Sequence, residues 1–469
     1  MIDRREILDF ARELALAPQV VEKDYALAWL LAGIFNHPSL RSEWVFKGGT
    51  CLKKCYFETY RFSEDLDFTL TREEHIDEGF LLDSFKEVAA WVYDRSGLEI
   101  PTDTISFEVY TNPRGHSSVL GRVGYRGPLG MRGTVPRVKL DLTHDERLVF
   151  DPVWQEVHHP YSDRPSEGIQ ALCYGYEELF AEKVRALAER MRPRDLYDVI
   201  HLYRHGMDAC ESTSVVSALK EKCAFKGIPV PTPEGLSTHP ERGELESEWK
   251  NMLGHQLPKL PSISQFLDEL PSVFAWLFGS ATRTFASAMP VGPDIDRSWQ
   301  PPAMATAWGL TVPLEVIRFA AANRLCVDLD YVDAAGARAR RLIEPYSLRK
   351  TKGGDVLLMA SRHDSGEDRS YRVDRIKGTT TTDIPFVPRY TVELATTGPL
   401  VAQSRAPRTG SRRLSLGSRS SNGPTYVIEC TACGKRFSRK TRDVNMKPHK
   451  TKTGYTCYGR TGYLVETKY

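Results

Sequence analysis

Acidic and apolar residues alternate one by one in "SEDLDF", residues 63 to 68, and this pattern constrains the chain more than any other. In a strand, residues two apart share a face. Asp65 and Asp67 therefore present their carboxylates together, while Leu66 and Phe68 turn into a core. Two such charges about 4 Å apart repel by roughly 4 kcal/mol at an effective dielectric of 20. The pair persists with a cation between its members, with one carboxyl protonated, or with solvent screening it at an exposed edge. Two carboxylates plus substrate phosphates are the oxygen ligands that Mg²⁺ (or Mn²⁺) prefers. Upstream, "FKGGT" supplies a second half. Gly48 and Gly49 let the backbone approach a bulky anion, and the helix start after them offers N–H groups to phosphate oxygens. Thr50 is placed either to cap that helix or to hydrogen-bond the phosphate. Either fragment alone reads as a glycine turn or a solvated edge strand; together, in this order, they predict a metal–nucleotide site.

The chain has 469 residues, more than one compact core holds, and ordinary domain sizes predict about three domains. No apolar run approaches the ~20 residues needed to cross a bilayer. The N-terminus is charged from its third residue and lacks a signal-peptide core, so a cytoplasmic protein without membrane partners is expected. Helical spacing over residues 5 to 35 precedes short strands at "EWVFKGG" and "DLDFTL". An amphipathic helix, "DEGFLLDSFKEVAAWVYDRSG", closes on glycine, and the strands "TISFEVYT", "SVLGRVGYRG" and "RVKLDLTHDE" follow. "YGYEELFAEKVRALAERMRPRDLYDVIHLYRHG" is helical, broken once at Pro193, and more helix runs to about residue 288. "MPVGPDIDRSWQPPAM" has the composition of an interdomain linker.

"KGGTCLKKCYFETYRFSEDLDF" resembles the first motif of the nucleotidyltransferase AbiEii/AbiGii toxin family, a branch of the polymerase-β-like superfamily. "VEKDYALAWLL" before it, and "YRGPLG", "VKLDLTHDE" and "EKVRALAERMRPRDLYDVIHL" after it, continue the resemblance over roughly residues 5 to 280. The resemblance implies Mg²⁺-dependent transfer of a nucleotide from an NTP in a toxin–antitoxin or abortive-infection defence system. It also implies an antitoxin encoded nearby, and an RNA acceptor such as a tRNA end. Carried over residue by residue, it implies that Gly48, Gly49 and Ser63 hold the triphosphate and that Asp65 and Asp67 bind the metals. Asp141, at the same register of a neighbouring strand, is the third carboxylate, a metal ligand or a proton acceptor. Lys183 would meet phosphate or simply pair with Glu182 or Glu178 on the helix surface. Asp195 matches the last functional carboxylate, with a salt bridge inside the helix turn as the alternative for it and for Asp198, and Arg190 and Arg194 are further phosphate candidates. Lys23 belongs to the family pattern, with Glu22 and Asp24 as partners.

Downstream, "IEPYSL" and "RSYRVDRI" resemble a WYL domain, although Val356, Leu357 and Leu358 stand at the name-giving tripeptide. On a strand, Arg369 and Tyr371 share a face opposite Arg372, and with Arg375 they form a candidate nucleotide or nucleic-acid surface; a salt-bridged structural barrel is the alternative.

Nine cysteines without an export signal argue against a disulfide framework. Cys51, Cys55, Cys173, Cys210, Cys223 and Cys326 are scattered along the sequence. Cys430-x₂-Cys433, with His449 and Cys457 downstream, has the spacing of a Cys₃His zinc ribbon; a reduced thiol pair with an exposed histidine is the plainer alternative. From residue 400 the chain carries fifteen Lys/Arg against three Asp/Glu, a balance of +12 that leaves −10 on the rest. A basic tail of this kind, with Lys435, Arg436, Arg439, Lys440 and Arg442 around the knuckle, fits contact with nucleic-acid phosphate.

The expected fold class is α+β: a nucleotidyltransferase mixed sheet with packed helices and a helical cap, then a small SH3-like barrel, then a zinc-binding β module. The expected domains are 1–288, 304–392, a flexible basic linker 393–424, and 425–469. Two functions compete: an NTP-dependent nucleotidyltransferase, and a nucleic-acid- or nucleotide-binding regulator whose transferase domain is non-catalytic. The intact carboxylates favour the enzyme.

Overall fold

The computed structural model describes residues 1–57, 60–112, 114–130, 133–205, 210–279, 287–299, 314–395, 425–439, 441, 443–447, 449–451, 456–457 and 459–468. The chain forms two compact units, Met1–Gln403 and Ser404–Tyr469. Apart from residues 393–395, the expected flexible linker lies outside the described residues, as do Lys440 and Arg442.

The first unit opens with α1 (Arg4–Leu14) and α2 (Pro18–Asn36). Asp3 caps α1 by accepting the Glu6 N–H, and Pro18 starts α2 where its missing N–H is harmless. α2 is buried on nearly every side, Glu22 and Asp24 included, so both carboxylates need partners. Lys54 meets Asp24 at 2.6 Å. Glu22 accepts the Leu129 N–H at 2.6 Å, and Gly127 leaves room for it, since a Cβ there would lie 2.5 Å from the Glu22 carboxylate. The "VEKDY" and "YRGPLG" stretches thus meet in space. Lys23 pairs with Glu64 at 3.0 Å rather than with its sequence neighbours Glu22 and Asp24, which are already engaged.

Seven strands form one mixed sheet: β1 (Trp44–Lys47), β2 (Asp65–Leu70), β3 (Ser106–Thr111), β4 (Ser117–Gly124), β5 (Arg137–Thr143), β6 (Val153–Glu156) and β7 (Gln170–Cys173), in the order β3-β4-β5-β2-β1-β7-β6. β2 runs parallel to β5, and β1 to β7; the other pairs are antiparallel. Between β1 and β2 lies α3 (Gly48–Cys51), which widens into a π turn over Leu52–Tyr56. α4 (Glu78–Ser96) is capped by Asp77 and closed by Gly97 in the left-handed region, as its sequence predicts. Leu66 and Phe68 are fully buried, with Phe68 against Phe35 of α2 and Trp44 of β1.

The opposite face of the sheet meets a helical cap: α5 (Tyr176–Arg190), α6 (Pro193–His205), α7 (Ser212–Lys226), α8 (Pro233–Ser237), α9 (Arg242–Leu253) and α10 (Ile263–Leu277). α5 and α6 part at Met191, in a left-handed conformation, just before Pro193.

α11 (Leu314–Ala322) then precedes β8 (Leu325–Val332), β9 (Arg338–Lys350), β10 (Val356–Arg362), β11 (Asp368–Arg372) and β12 (Ile376–Pro385). These make an open antiparallel sheet in the order β11-β10-β9-β8-β12, not the closed barrel expected from sequence. β11 stops after five residues at a 3₁₀ turn, Val373–Arg375, which carries the chain across to β8; among the described residues β11 and β12 do not pair. The stretch expected as a linker runs beside the β9–β10 turn. There the Asp296 N–H donates to the Lys350 carbonyl at 2.8 Å and Ile295 bridges Thr351.

The second unit holds β13 (Thr425–Cys430), β14 (Arg436–Arg439) and β17 (Gly462–Lys468) in the order β14-β13-β17, plus the pair β15 (His449–Lys450) and β16 (Thr456–Cys457).

Buried charge ties the cap to the loop before β2. Asp198 of α6, with no exposed surface, accepts Arg61 Nε at 2.7 Å and Nη2 at 2.8 Å, takes the Tyr60 hydroxyl, and pairs with Lys183 at 2.7 Å. Burial works against its charge, but Arg61 and Lys183 hold its carboxyl far below the usual range. Asp198→Ala would strand two buried cations, and a loss of about 3–5 kcal/mol is expected in urea denaturation. A variant as stable as the parent would show that this cluster does not anchor the loop.

Candidate active site

Strand register builds the site. Lys47 of β1 pairs with Asp67 of β2, and Asp67 pairs with Asp141 of β5, so one cation and two carboxylates stand in a row across three strands. Asp65 lies two residues before Asp67 on the same face, opposite Lys139. The sequence-predicted trio Asp65, Asp67 and Asp141 is therefore together on the face away from the Phe68 core. The loop that delivers Asp65 is fixed from behind: Arg61 binds Asp198, and the Phe62 N–H donates to the Gln256 carbonyl at 3.0 Å.

Crowding shows in the proton affinities. Burial, then the Asp141 and Asp65 charges, push the Asp67 carboxyl up to about 6, against the pull of Lys47 and Lys183. Asp141 stands at the open rim; partial desolvation raises its pKa, Lys47 opposes this, and Asp65 and Glu146 add to it. Burial disfavours the Lys47 ammonium, yet Glu146, Glu182, Asp67 and Asp141 outweigh that and raise its pKa. Its Nζ lies 3.6 Å from Glu146.

Gly48 has φ +80°, and a Cβ there would overlap the Asp67 carboxylate. A Cβ at Gly49 would strike Arg61 and lie 3.2 Å from Ser63 Oγ. The two glycines and Ser63 thus form a bare-backbone cradle against the acidic face. Thr50 takes neither role expected of it. Lys47 occupies the cap position, and the Thr50 hydroxyl is spent on the Asp65 carbonyl at 2.5 Å, tying α3 to the start of β2.

The cap supplies cations. Asp195 is wholly buried and accepts Arg190 Nε and Nη2 at 2.8 and 3.0 Å, with Lys183 at 3.5 Å. Both its oxygens are occupied, so Asp195 positions cations and does not itself face the cleft. Lys183 is held by Asp198 and Asp195, not by the helix neighbours Glu178 and Glu182, which serve Lys222 and Arg185. The Arg190 side chain remains half-exposed and feels the Asp67 charge after that of Asp195. Desolvation and the nearby Arg61 lower the Arg194 pKa, against the pull of Asp65 and Glu64, and its buried Nε has no hydrogen-bond partner. Among the described residues, an orphaned guanidinium N–H and a cradle that a Cβ would fill both fit an incoming polyphosphate, and three carboxylates without an ion-pair partner fit divalent cations.

Sequence reasoning missed Lys47. It adjoins the glycine pair, but β1 is apolar on both faces, and only the antiparallel register places the lysine beside Asp67. Tyr371 is a correction in the other direction. It is buried and packs edge-on to Tyr331 at 5.2 Å, while Arg369 is exposed and pairs with Glu367 at 2.7 Å. Arg372 bonds Asp355 and Asp374, and Arg375 sits in the 3₁₀ turn that ends the strand. No joint arginine–tyrosine stacking face exists there.

In the second unit, Cys430, Cys433, His449 and Cys457 come together with ligand atoms all within 4.8 Å of one another. β15–β16 pairing places His449 opposite Cys457. His449 Nδ1 contacts the Lys447 carbonyl at 2.8 Å, leaving Nε2 toward Cys433 Sγ at 3.3 Å. Burial opposes the Cys430 thiolate, but the Ala432 and Cys433 N–H groups bring its pKa down to about 6. This donor set is compatible with tetrahedral zinc. Of the basic residues around the knuckle, Arg436 pairs with Glu429 at 2.6 Å and Arg439 donates to the Asp443 and Asn445 carbonyls.

Asp67 sets a pH test. Its folded pKa of about 6 exceeds the ordinary 3.8, so the stability it contributes is whole below the lower value and is lost as pH rises through the upper one. In EDTA, melting curves are expected to show a loss on the order of 3 kcal/mol across that window. Mg²⁺ should suppress the loss and Asp67→Asn abolish it; an equal slope in that variant would refute the assignment.

Residues 29–278 match the family described as nucleotidyl transferase AbiEii toxin, type IV TA system, and residues 313–381 match the WYL domain. Among solved structures, the chain is similar to MenT4, a nucleotidyltransferase toxin from Mycobacterium tuberculosis H37Rv, at 18% identity and a TM-score of 0.40, over 59% of this chain and 90% of that one. It is also similar to JHP933 from Helicobacter pylori, at 18% identity and a TM-score of 0.34, over 56% of this chain and 94% of that one. No curated protein matches it. Among the described residues no helix is long and apolar enough to cross a membrane. The AbiEii match spans more than half of the sequence, and the chain belongs to the AbiEii nucleotidyltransferase toxin family, with a WYL domain following.

Proposed function

We propose that the protein is a Mg²⁺-dependent nucleotidyltransferase toxin that moves a nucleotide from an NTP to an acceptor hydroxyl on RNA, such as the 3′ end of a tRNA. The observation that carries this reading is the placement of Asp65, Asp67 and Asp141 on one face of adjacent parallel strands, against the Gly48–Gly49 cradle. Bound divalent ions would neutralise phosphate charge and activate the attacking oxygen. Asp65 and Asp67 would hold them, with Asp141 as third ligand or proton acceptor. Gly48, Gly49 and Ser63 would receive the triphosphate, with Arg190 and Arg194 on its outer oxygens. Lys47 and Lys183 set a positive field behind the carboxylates without neutralising them. The +12 balance after residue 400 supports an RNA acceptor, and type IV toxin family membership supports an antitoxin partner.

The assay is transfer of label from each of the four NTPs, with Mg²⁺, onto total RNA. Asp65→Asn and Asp67→Asn are expected to lose roughly 100-fold or more of activity while remaining folded. Gly48→Ala should be comparably impaired, since its Cβ collides with Asp67. Absence of labelled RNA with every NTP, or full activity in the Asp variants, would defeat the reading.

The cysteine-bearing unit is proposed to bind one structural zinc through Cys430, Cys433, His449 and Cys457. Metal analysis of purified protein should give one zinc per chain, lost in Cys433→Ser together with the fold of that unit. Unchanged zinc content would refute it.

A further inference from the structure

Three cysteines that look scattered in sequence converge beneath the nucleotide cradle. Cys51 ends α3, Cys55 lies in the π turn that follows, and Cys173 ends β7, where it pairs with Phe46 of the parallel β1. Their three Sγ atoms all lie within 4.8 Å of one another, and those of Cys55 and Cys173 are 3.5 Å apart. All three are buried and none is in a disulfide. Cys51 and Cys55 are four apart, and the wider π turn lets both reach the same interior point; such turns recur at functional positions.

We propose that Cys51, Cys55 and Cys173 form a three-sulfur site for a soft, three-coordinate metal ion, of which monovalent copper is the best match. Three sulfurs around a trigonal ion, with bonds of about 2.3 Å, stand about 4 Å apart; these thiols lie within 4.8 Å of one another, with Cys55 and Cys173 at 3.5 Å. Thiolates select soft ions. Zinc would need a fourth donor, and among the described residues no His, Asp or Glu joins the three sulfurs. Binding one Cu⁺ with loss of two thiol protons leaves a single negative charge beside the buried Lys54–Asp24 ion pair, whose ammonium also acts on Cys55. Entry requires the π turn to open or the ion to be present as the chain folds. The site is separate from the Cys430–Cys457 cluster and does not depend on the transferase reading.

The test uses the full-length chain carrying Cys430→Ser and Cys433→Ser, which removes the competing cluster. Cu⁺ is added without oxygen, to folded protein and during refolding, against a chromophoric copper chelator. One equivalent should be retained by either route, with a thermal midpoint raised by a few degrees. Adding Cys173→Ala or Cys55→Ala should abolish both effects, whereas Cys223→Ala, a buried cysteine outside the trio, should change neither. Far-UV circular dichroism, compared with the Cys430→Ser, Cys433→Ser parent, establishes that the first unit of each variant is folded. Failure to retain copper by either route, or equal retention in the Cys173 and Cys55 variants, would overturn the site and leave three packed thiols.

Discussion

Repulsion among three carboxylates on one sheet face is the constraint around which the first unit is arranged. Neighbouring strands lie about 4.8 Å apart, and two charges at that distance repel by roughly 3.5 kcal/mol at an effective dielectric of 20. The obvious remedy is a direct ion pair, and cations surround the site, yet Lys47, Lys183 and Arg190 are held elsewhere. Lys47 is drawn to Glu146, Lys183 to Asp198 and Asp195, and Arg190 to Asp195. Among the described residues, Asp65, Asp67 and Asp141 take part in none of the ion pairs. The fold thus keeps positive charge near enough to stabilise anions but too restrained to fill the space between the carboxylates. Such preorganisation costs stability in the empty protein and is repaid when a multivalent cation arrives.

The sheet could be read from sequence where the signal is local. Alternation in "DLDF" and "VKLDL" identified two strands with acids on one face and apolar residues on the other, and the structure pairs those acids directly. Register between distant strands leaves no such trace, which is why Lys47 escaped notice. Residue type also misleads where the backbone claims the side chain. Thr50 looks like a cap or phosphate ligand, but its hydroxyl satisfies the Asp65 carbonyl. Asp195 looks catalytic, but it is enclosed by Arg190 and Lys183. Tyr371 failed for a third reason. Sharing a strand face does not set exposure: Tyr371 is packed against Tyr331, while Arg369 stays in solvent with Glu367.

Cysteine geometry divides along the same line. The CxxC knuckle is a short-range feature: Gly434, at φ +63°, allows the tight turn, and β15–β16 brings the remaining donors to it. Cys55 and Cys173 are 118 residues apart, and their approach depends on the parallel pairing of β1 with β7 and on a π turn that helical periodicity cannot anticipate. Both clusters use the same physical economy. A small, soft side chain with only weak hydrogen-bonding demands is tolerated in a protein interior, so thiols gather there at little cost until a metal uses them.

α6 connects these levels. One of its stripes carries Asp195 and Asp198, three residues apart, which restrain Arg190, Lys183 and the Arg61 loop. The other carries Tyr197, His201 and Arg204, at intervals of four and three. Tyr197 and His201 contact the Asn323 amide oxygen at 3.1 and 3.3 Å, and Arg204 donates to the Ala322 carbonyl at the end of α11. A helix transmits displacement along and across its axis with little internal give, because its backbone hydrogen bonds are complete. The segment that leads into the WYL sheet is therefore joined to the transferase cations by one rigid element, and a shift of α11 against the cap must either break the Asn323 contacts or move the groups that hold Arg190 and Lys183 behind the carboxylates.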